Sequence, residues 1–557
     1  MNDEKIIEVP EREQKMNEKM MQKSSALAGF MQSCIGGLLL LLFLPVLFCV
    51  FFIGNRMDYF EVCKITCVLD NVVIALLAVV LFVVMLGIYY LFRKVTYNKK
   101  VNWCVNGLLA VFFVGVYFFG VEISKCIAFY SGWDVSCLAG TVYNLSAGTP
   151  IGGEVYYSMY PYNVPIVYFM QKAYDWAKNS SAYPYNAEFI WIQMNNAFIS
   201  IAGFASCMTV KRLTKQVFST IVVLGLYVAC VVFSPWKIIP YTDMMAIAFP
   251  ILCICLYIYS VTSSKVGRYV YFLLACLTAA IGALIKSSVY IMVVAIVLTE
   301  LVKLLKNVKG LWKEFLIKCA IIVICVLAAG GIKNYTHEET GFTPNKEISA
   351  TLHHFFLMGL NEETTGGHYS GDVAIFGQYA IGKERNQAEL KLAFDRIKER
   401  GVIGYPYFLL RKLTMVFNDG TFTWGKEGGF YFSDYQNLTD APYKEFLREL
   451  YWFDTPLTGR FNTYSQLVWF FILLGVPGIC IGLKKDESGV QTVLALSFLG
   501  IVMYMALLEA RARYLICFLP LIITVSVMGG VQIYKALSTG RITKRTAEII
   551  AEKNTSK

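Results

Sequence analysis

The sequence predicts an all-α polytopic membrane protein with about twelve transmembrane helices and one mixed extracytoplasmic loop domain. Hydrophobic residues make up 57% of the 557 residues and charged residues only 16%, whereas soluble domains carry about 25% charged residues. The apolar residues fall into runs of roughly 20, the length that lets a helix cross a bilayer. Lysine and arginine cluster between these runs, so the formal net charge of +11 indicates membrane orientation and not nucleic-acid binding.

The apolar runs give the order of the spans. They lie near 31–53, 71–92, 102–123, 187–209, 216–234, 243–262, 268–285, 288–305, 314–332, 465–483, 490–508 and 514–534. The basic connections between them share one face if both termini are cytoplasmic. The predicted organisation is then a cytoplasmic tail (1–30), a transmembrane module (31–332) with an outer loop (124–186), an extracytoplasmic loop domain (333–464), C-terminal spans (465–534) and a cytoplasmic tail (535–557).

The informative residues are the charges predicted to lie on the outer face, beside the ends of spans. Asp134 follows the third span in the outer loop. An ordinary aspartate is ionised at neutral pH, so it can accept a proton from an attacking hydroxyl as the new bond forms. The alternative is a solvated loop residue or a helix cap. Asp243 opens the sixth span, where either it or Thr242 would also suit a helix N-terminus.

Three basic residues on this face suit an anion. Lys286 interrupts a long apolar hairpin, and charges inside a membrane are costly and usually functional. It is either a phosphate-binding residue or part of an outer turn with Ser287 and Ser288. Arg511 and Arg513 lie between the last two spans, against the positive-inside bias. Guanidinium groups bind phosphate in a bidentate manner. The alternative is an ion pair inside the protein, with Asp134 or Glu509 as partner.

Other classes of site are not indicated. No Walker or GxGxxG phosphate loop is present, so a free nucleotide is not expected as the substrate. The pattern predicts no cofactor, and a divalent metal is allowed but not indicated, because adjacent His353 and His354 are badly spaced for shared ligation. Nearly all of the 16 cysteines lie in or beside apolar segments, and none falls between Lys333 and Gln466, which argues against a disulfide framework.

Taken together, these elements resemble the GT-C superfamily of membrane glycosyltransferases, in particular bacterial enzymes that use polyprenyl-phosphate-linked sugars. The matching segments are GWDVSCLAGTVYNL around Asp134, YYSMYPYNVPIVYF around Tyr160, the YTD of Tyr241 to Asp243, LIKSS around Lys286, and EARARYL around Arg511 and Arg513. One departure is that Val135, and not a second acid, follows Asp134. This difference weakens the expectation of a metal and of protein acceptors.

The resemblance implies a hexosyltransferase that moves a sugar by inverting displacement from a polyprenyl-phosphate donor to a glycan or glycolipid acceptor of the cell envelope. It implies that Asp134 is the catalytic base, and that Asp243, Lys286, Arg511, Arg513, Tyr160 and Tyr241 bind substrate or phosphate. Membrane lipid and these two substrates are the expected partners, and nucleic acid is not. The expected location is a bacterial plasma membrane, with the site facing outward.

Two alternatives stay open at this stage. A lipid-linked glycan flippase or transporter would also have about twelve spans and buried charges, although the two halves show no repeat. A glycan polymerase or ligase would share outward phosphate-binding arginines. Conversion of donor to product by purified protein, without compartments, distinguishes an enzyme from a transporter.

Overall fold

The structure is a computed structural model, which describes residues 11–57, 64–346, 348–377, 382–424, 432–442, 444–451, 455–538 and 540. Helices account for most of this part of the chain. The helices of the first half are α1 (Glu11–Phe52), α2 (Asn71–Phe92), α3 (Lys99–Ile127), α4 (Trp133–Ser146), α5 (Val155–Met159), α6 (Val164–Asn179), α7 (Phe189–Thr214), α8 (Val217–Tyr227), α9 (Thr242–Met245) and α10 (Ala248–Val261).

The second half continues the helical pattern. Its helices are α11 (Lys265–Ile285), α12 (Tyr290–Lys306), α13 (Val308–Glu339), α14 (Leu352–Met358), α15 (Ser370–Val373), α16 (Lys383–Phe417), α17 (Glu445–Tyr451), α18 (Pro456–Gly475), α19 (Val490–Leu507) and α20 (Leu519–Ser538). Two short strands, β1 (Phe129–Ser131) and β2 (Phe432–Asn437), form an antiparallel pair. This pair joins the 124–186 segment to the 333–464 segment.

Within the described residues, ten helical segments are long and apolar enough to cross a membrane. They are Lys23–Phe52, Asn71–Phe92, Val101–Ile127, Thr242–Val261, Lys265–Ile285, Ser287–Lys306, Val308–Glu339, Pro456–Cys480, Val490–Leu507 and Ala512–Ser538. Each coincides with a predicted span. The predicted fold class, an all-α polytopic membrane protein, is therefore confirmed, and the chain is a multi-pass integral membrane protein.

The other two predicted spans also form helices but differ from the ten. Val217–Val232 is apolar but shorter. Helix α7 has buried polar side chains along its length, and these are used inside the bundle. The Asn195 side chain donates to the carbonyl oxygens of Lys237 (2.9 Å) and Ile239 (3.0 Å). Because such contacts satisfy the polar groups, α7 needs less hydropathy than a lipid-exposed helix.

Side-chain caps fix where several helices begin. The Asp70 carboxylate accepts from the amide of Val72 at the start of α2, and the Asn98 side chain accepts from Val101 at the start of α3. Helix α16 is bent at Gly401, whose φ of 67° lies in the left-handed region that glycine adopts without strain. The sequence periodicity of 384–400 ends at this residue, so the bend follows from the glycine.

The basic connections meet at one end of the bundle, here called the basic end. The Arg212 side chain donates to the Thr262 carbonyl (2.7 Å), and Lys306 donates to the Asp486 carbonyl (2.7 Å). Helix α11 starts at this end with Lys265 and finishes at Ile285, about 30 Å away for a helix of that length. The following residue, Lys286, therefore lies at the opposite end.

Candidate functional site

A cavity of about 570 Å³ lies at the end of the bundle opposite the basic connections. This end of the bundle is called the cavity end. Six of the seven predicted site residues line the cavity: Asp134, Tyr160, Tyr241, Lys286, Arg511 and Arg513. Other lining residues come from α4, α5, the 352–368 segment and the end of α19. They include Trp133, Tyr156, Tyr162, Asn163, Phe355, His368, Tyr504, Glu509 and Tyr514.

Asp134 lies in the first turn of α4, and its side chain is partly exposed to the cavity. The residue before it, Trp133, has a φ of 57°, a left-handed conformation that is strained for a bulky side chain. The phenol of Tyr156 donates a hydrogen bond to Asp134 Oδ1 (3.1 Å). A partly exposed carboxylate held in this way can accept a proton from a bound hydroxyl.

Asp243, the seventh predicted residue, lies behind the cavity wall and holds two of the cations. Its carboxylate contacts Lys286 Nζ (2.7 Å) and Arg513 Nε (3.1 Å), and the residue is only 4% exposed. Its position in the first turn of α9 matches the capping interpretation, but Tyr241 is the N-cap residue and no side chain caps this helix. Asp243 therefore orients a pair of cations, and the two positive charges exceed its single negative charge.

Lys286 occupies the turn between α11 and α12 in an extended conformation (φ −146°, ψ 110°), which ends α11. Its ammonium group also lies 4.8 Å from the centre of the Tyr514 ring, within the range of a cation–π contact. The structure thus confirms the turn interpretation of Lys286, and the phosphate-binding interpretation stays a prediction. The residue belongs to a turn with Ser287 and also faces the cavity.

Arg511 and Arg513 lie just after α19, on a segment that the 352–368 region holds in place. The amide of Glu509 donates to the Phe355 carbonyl (2.8 Å), and that of Ala510 donates to Gly366 (3.0 Å). Arg513 forms an ion pair with Asp243, which was not among the partners that the sequence suggested, Asp134 and Glu509. Arg513 and Asp243 are 270 positions apart in the sequence, so this pair was not apparent from it. The Glu509 carboxylate accepts a hydrogen bond from the Tyr514 phenol (2.8 Å).

Lys412 supports the same segment and was missed by sequence reasoning, because it looks like one basic residue of an amphipathic helix. It is fully buried, and its ammonium group donates to the carbonyl oxygens of Gly359 (2.7 Å), Ala506 (3.2 Å) and Leu508 (2.6 Å). Burial lowers the pKa of Lys412 to about 7. Lys412 thus ties α16 to both segments that form this wall.

Tyrosines form much of the remaining wall. Burial raises the pKa of Tyr160 to about 12 and raises the pKa of Tyr162 well above its ordinary value. These phenols therefore stay neutral, with apolar faces and hydrogen-bonding tips. From YYSMYPYN only Tyr160 was predicted as a site residue. The spacing of the tyrosines in this segment shows no periodicity from which their directions could be predicted. It therefore does not distinguish the tyrosines that face the cavity from Tyr157, which is buried away from it.

The charged pairs away from the cavity do not form a metal site. Across the described part of the chain, no group of three or more His, Cys, Asp or Glu side chains is placed to hold a metal ion. His354 is fully buried against Glu389 (3.2 Å), while His368 lines the cavity. The two histidines thus have different surroundings, one in the protein interior and one at the cavity.

Comparison with known proteins gives a family. Residues 27–531 match the model described as conserved hypothetical integral membrane protein. The chain belongs to this family. No curated protein matches it in sequence. Among solved structures it is similar to the crystal structure of ArnT from Cupriavidus metallidurans bound to undecaprenyl phosphate, with 11% identity, 79% of this chain and 80% of that chain covered, and a TM-score of 0.31. The cavity of this integral membrane protein lies entirely inside the matched range.

Proposed function

We propose that the chain is a membrane glycosyltransferase of the GT-C type. It would move a sugar from a polyprenyl-phosphate donor to a glycan or glycolipid acceptor of the cell envelope by inverting displacement. One observation carries the proposal: a single cavity at one end of a membrane-spanning bundle contains a carboxylate, Asp134, and three cations, Lys286, Arg511 and Arg513. A base and an anion site in one cavity are what transfer from a phosphate-linked sugar requires.

The cations bind the phosphate of the donor. Asp243 holds Lys286 and Arg513 at the cavity wall, each through one carboxylate oxygen. A preorganised positive site stabilises the negative charge that develops on the departing polyprenyl phosphate. The aliphatic tail of the donor would lie along the spanning helices, whose outer surfaces are apolar.

Asp134 acts as the general base. The acceptor hydroxyl oxygen attacks the anomeric carbon from the face opposite the phosphate, and its proton passes to Asp134. The bond from the anomeric carbon to the phosphate oxygen breaks with its electron pair, so the lipid phosphate leaves as an anion. The balance needs no cofactor. Because one displacement occurs, the anomeric configuration inverts.

The aromatic residues and the 352–368 segment shape the sugar-binding part of the cavity. Trp133 is 62% exposed, and Tyr160 and Phe355 line the same space. Aromatic rings offer broad apolar faces beside hydrogen-bonding groups, which suits the faces of sugar rings. In this proposal the cavity end faces outward from a bacterial plasma membrane, because the basic end is cytoplasmic by the positive-inside rule.

The test is donor turnover by detergent-purified protein. Polyprenyl-phosphate-linked hexoses are offered with cell-envelope glycan, and release of polyprenyl phosphate is measured for wild type, Asp134→Asn and Asp175→Asn. We expect Asp134→Asn to lower turnover by about 10²- to 10⁴-fold, the usual contribution of a general base. Asp175 is the matched control, since it is a partly exposed aspartate on α6 that bonds to Ser146 and does not line the cavity.

Near-normal turnover in folded Asp134→Asn protein would show that the base is wrongly assigned. Tight binding of the lipid-linked sugars without any turnover would favour a flippase. Joining of lipid-linked glycans to one another, without use of monosaccharide donors, would favour a polymerase or ligase.

A further inference from the structure

A chain of two hydrogen bonds leads away from Asp134 into the protein. The Tyr156 phenol donates to Asp134 Oδ1 (3.1 Å), and the Asn163 side-chain amide donates to the Tyr156 oxygen (3.0 Å). Asn163 is only 1% exposed, so this second donor is shielded from solvent. The order of donors is fixed, since an amide nitrogen can only donate and an ionised carboxylate can only accept.

The position of Tyr156 is set by its neighbours. It lies in the short helix α5, and its ring packs edge-on against those of Tyr157 (5.1 Å) and Tyr160 (5.5 Å). Asn163 ends the turn of Pro161–Asn163 that follows. The phenol therefore reaches Asp134 from a packed segment and not from a mobile loop tip. Helix α5 and the Pro161–Asn163 turn together hold the side chain of Asp134, in the first turn of α4, in place.

Tyr156 stays a donor at every physiological pH. Burial and the Asp134 carboxylate both raise the pKa of Tyr156 well above its ordinary value. Its hydrogen bond goes to Oδ1, so Oδ2 is the oxygen that remains for a substrate hydroxyl. A hydrogen bond donated to a carboxylate favours the ionised form and fixes its rotation.

We propose that Tyr156, which accepts a hydrogen bond from Asn163, is a positioning residue that fixes the rotation of the Asp134 carboxylate and turns its Oδ2 toward the acceptor hydroxyl. The inference rests on the proposed function, in which Asp134 is the base. It adds a residue that touches no reacting atom but decides which carboxylate oxygen is used. The role is distinct from simple packing, because only the phenolic oxygen and not the ring carries it.

Other groups lie near Asp134 and are kept constant in the test. Tyr160, Tyr162, Tyr241 and the Cys137 thiol interact with its charge. The charged and titratable groups on the remaining walls are Lys286, Arg511, Arg513, Glu509 and His368. Tyr156→Phe changes none of these residues and keeps the aromatic ring.

The experiment compares Tyr156→Phe with Tyr157→Phe in the full-length purified protein. Tyr157 is the matched control, because it is the adjacent tyrosine, is 1% exposed and does not line the cavity. Turnover number and the KM for donor are measured separately for each variant. Loss of carboxylate orientation lowers the turnover number and leaves donor binding intact, which a general loss of packing would not do.

We expect the turnover number to stay unchanged in Tyr157→Phe and to fall in Asn163→Leu, by less than in Tyr156→Phe, because only the last substitution removes the bond to Asp134 itself. Turnover number should fall about 10- to 100-fold in Tyr156→Phe, as expected for a hydrogen bond to a charged group, while the KM for donor changes little.

Equal turnover numbers in wild type and Tyr156→Phe would overturn the inference, as would an equal fall in Tyr157→Phe. Failure of the proposed function is a separate result, since active Asp134→Asn protein would remove the base whatever Tyr156→Phe shows. Size-exclusion profiles of the variants check that each is folded.

Discussion

Both ends of the bundle bury charged clusters, and the cluster at the cavity end borders open space. At the basic end, Lys318 lies between Glu300 (2.9 Å) and Glu314 (2.7 Å), with Lys303 and Arg268 completing the cluster at 2.9 and 2.6 Å. At the cavity end, Asp243 joins Lys286 and Arg513, and both cations line the cavity of about 570 Å³. Both clusters pair lysine and arginine with buried carboxylates, but they lie in different surroundings.

A buried charge in a membrane protein is therefore not by itself the sign of a binding site. The Lys318 side chain is 2% exposed and is enclosed by two carboxylates from α12 and α13, so it locks helices together. The Lys286 side chain is 12% exposed and faces a space large enough for a ligand. Access to open volume, and not charge, separates a ligand-binding cation from a structural one.

Replacement of each central lysine by methionine should give the largest contrast. Lys318→Met leaves two carboxylates short of a partner and should cost about 3–5 kcal/mol of unfolding free energy with turnover number retained. Lys286→Met should lower donor turnover about 100-fold, because it removes one charge from a preorganised anion site, with a smaller loss of stability since Arg513 still pairs with Asp243. Thermal unfolding in detergent and donor turnover measure the two effects.

Equal effects of both substitutions on turnover would contradict this difference between the two ends. Such a result would mean that the two clusters are coupled through the bundle and that the basic end contributes to activity. The double variant then gives the coupling energy directly.

A tyrosine at each end offers a milder version of the same contrast. The Tyr257 phenol donates to Glu300 (2.7 Å), and the Tyr514 phenol donates to Glu509 (2.8 Å). Tyr257→Phe should cost about 2 kcal/mol of stability, the contribution of a hydrogen bond to a charged group, with little change in turnover. Tyr514→Phe should lower turnover about tenfold, because Glu509 lines the cavity. Exchange of these two outcomes would contradict the assignment of the ends.

Backbone strain gives the smallest expected effect. Trp133 at the cavity end and Lys215 at the basic end are both non-glycine residues in the left-handed region, with φ of 57° and 55°. Lys215 ends α7, a position that glycine usually occupies. Glycine at either position should relieve about 1 kcal/mol of strain. Only Trp133→Gly should also lower turnover, since the indole lines the cavity. A stability gain without lost turnover would show that the indole does not bind the sugar.

The predicted spans and the predicted site differ in how well sequence reasoning reached them. Hydropathy located ten spans directly, and the anomalous charges beside their ends pointed to residues that the structure brings into one cavity. The ion pair between Arg513 and Asp243 was not predicted, because sequence favours local partners such as Glu509 and gives no measure of the distance to Asp243. Tyr156 and Lys412 were missed, since their roles depend on the direction of a side chain.

The sequence alone predicts that the chain crosses a membrane in many helices and that unusual charges lie beside the ends of several spans. It does so because a backbone in lipid must satisfy its hydrogen bonds within each helix, so every span must be apolar along its own length. The tertiary structure was needed to show which charges form ion pairs and which of them face open space. It was also needed to show that Tyr156, and not Tyr157, reaches Asp134. These outcomes depend on how helices pack and turn against one another, which no local pattern encodes.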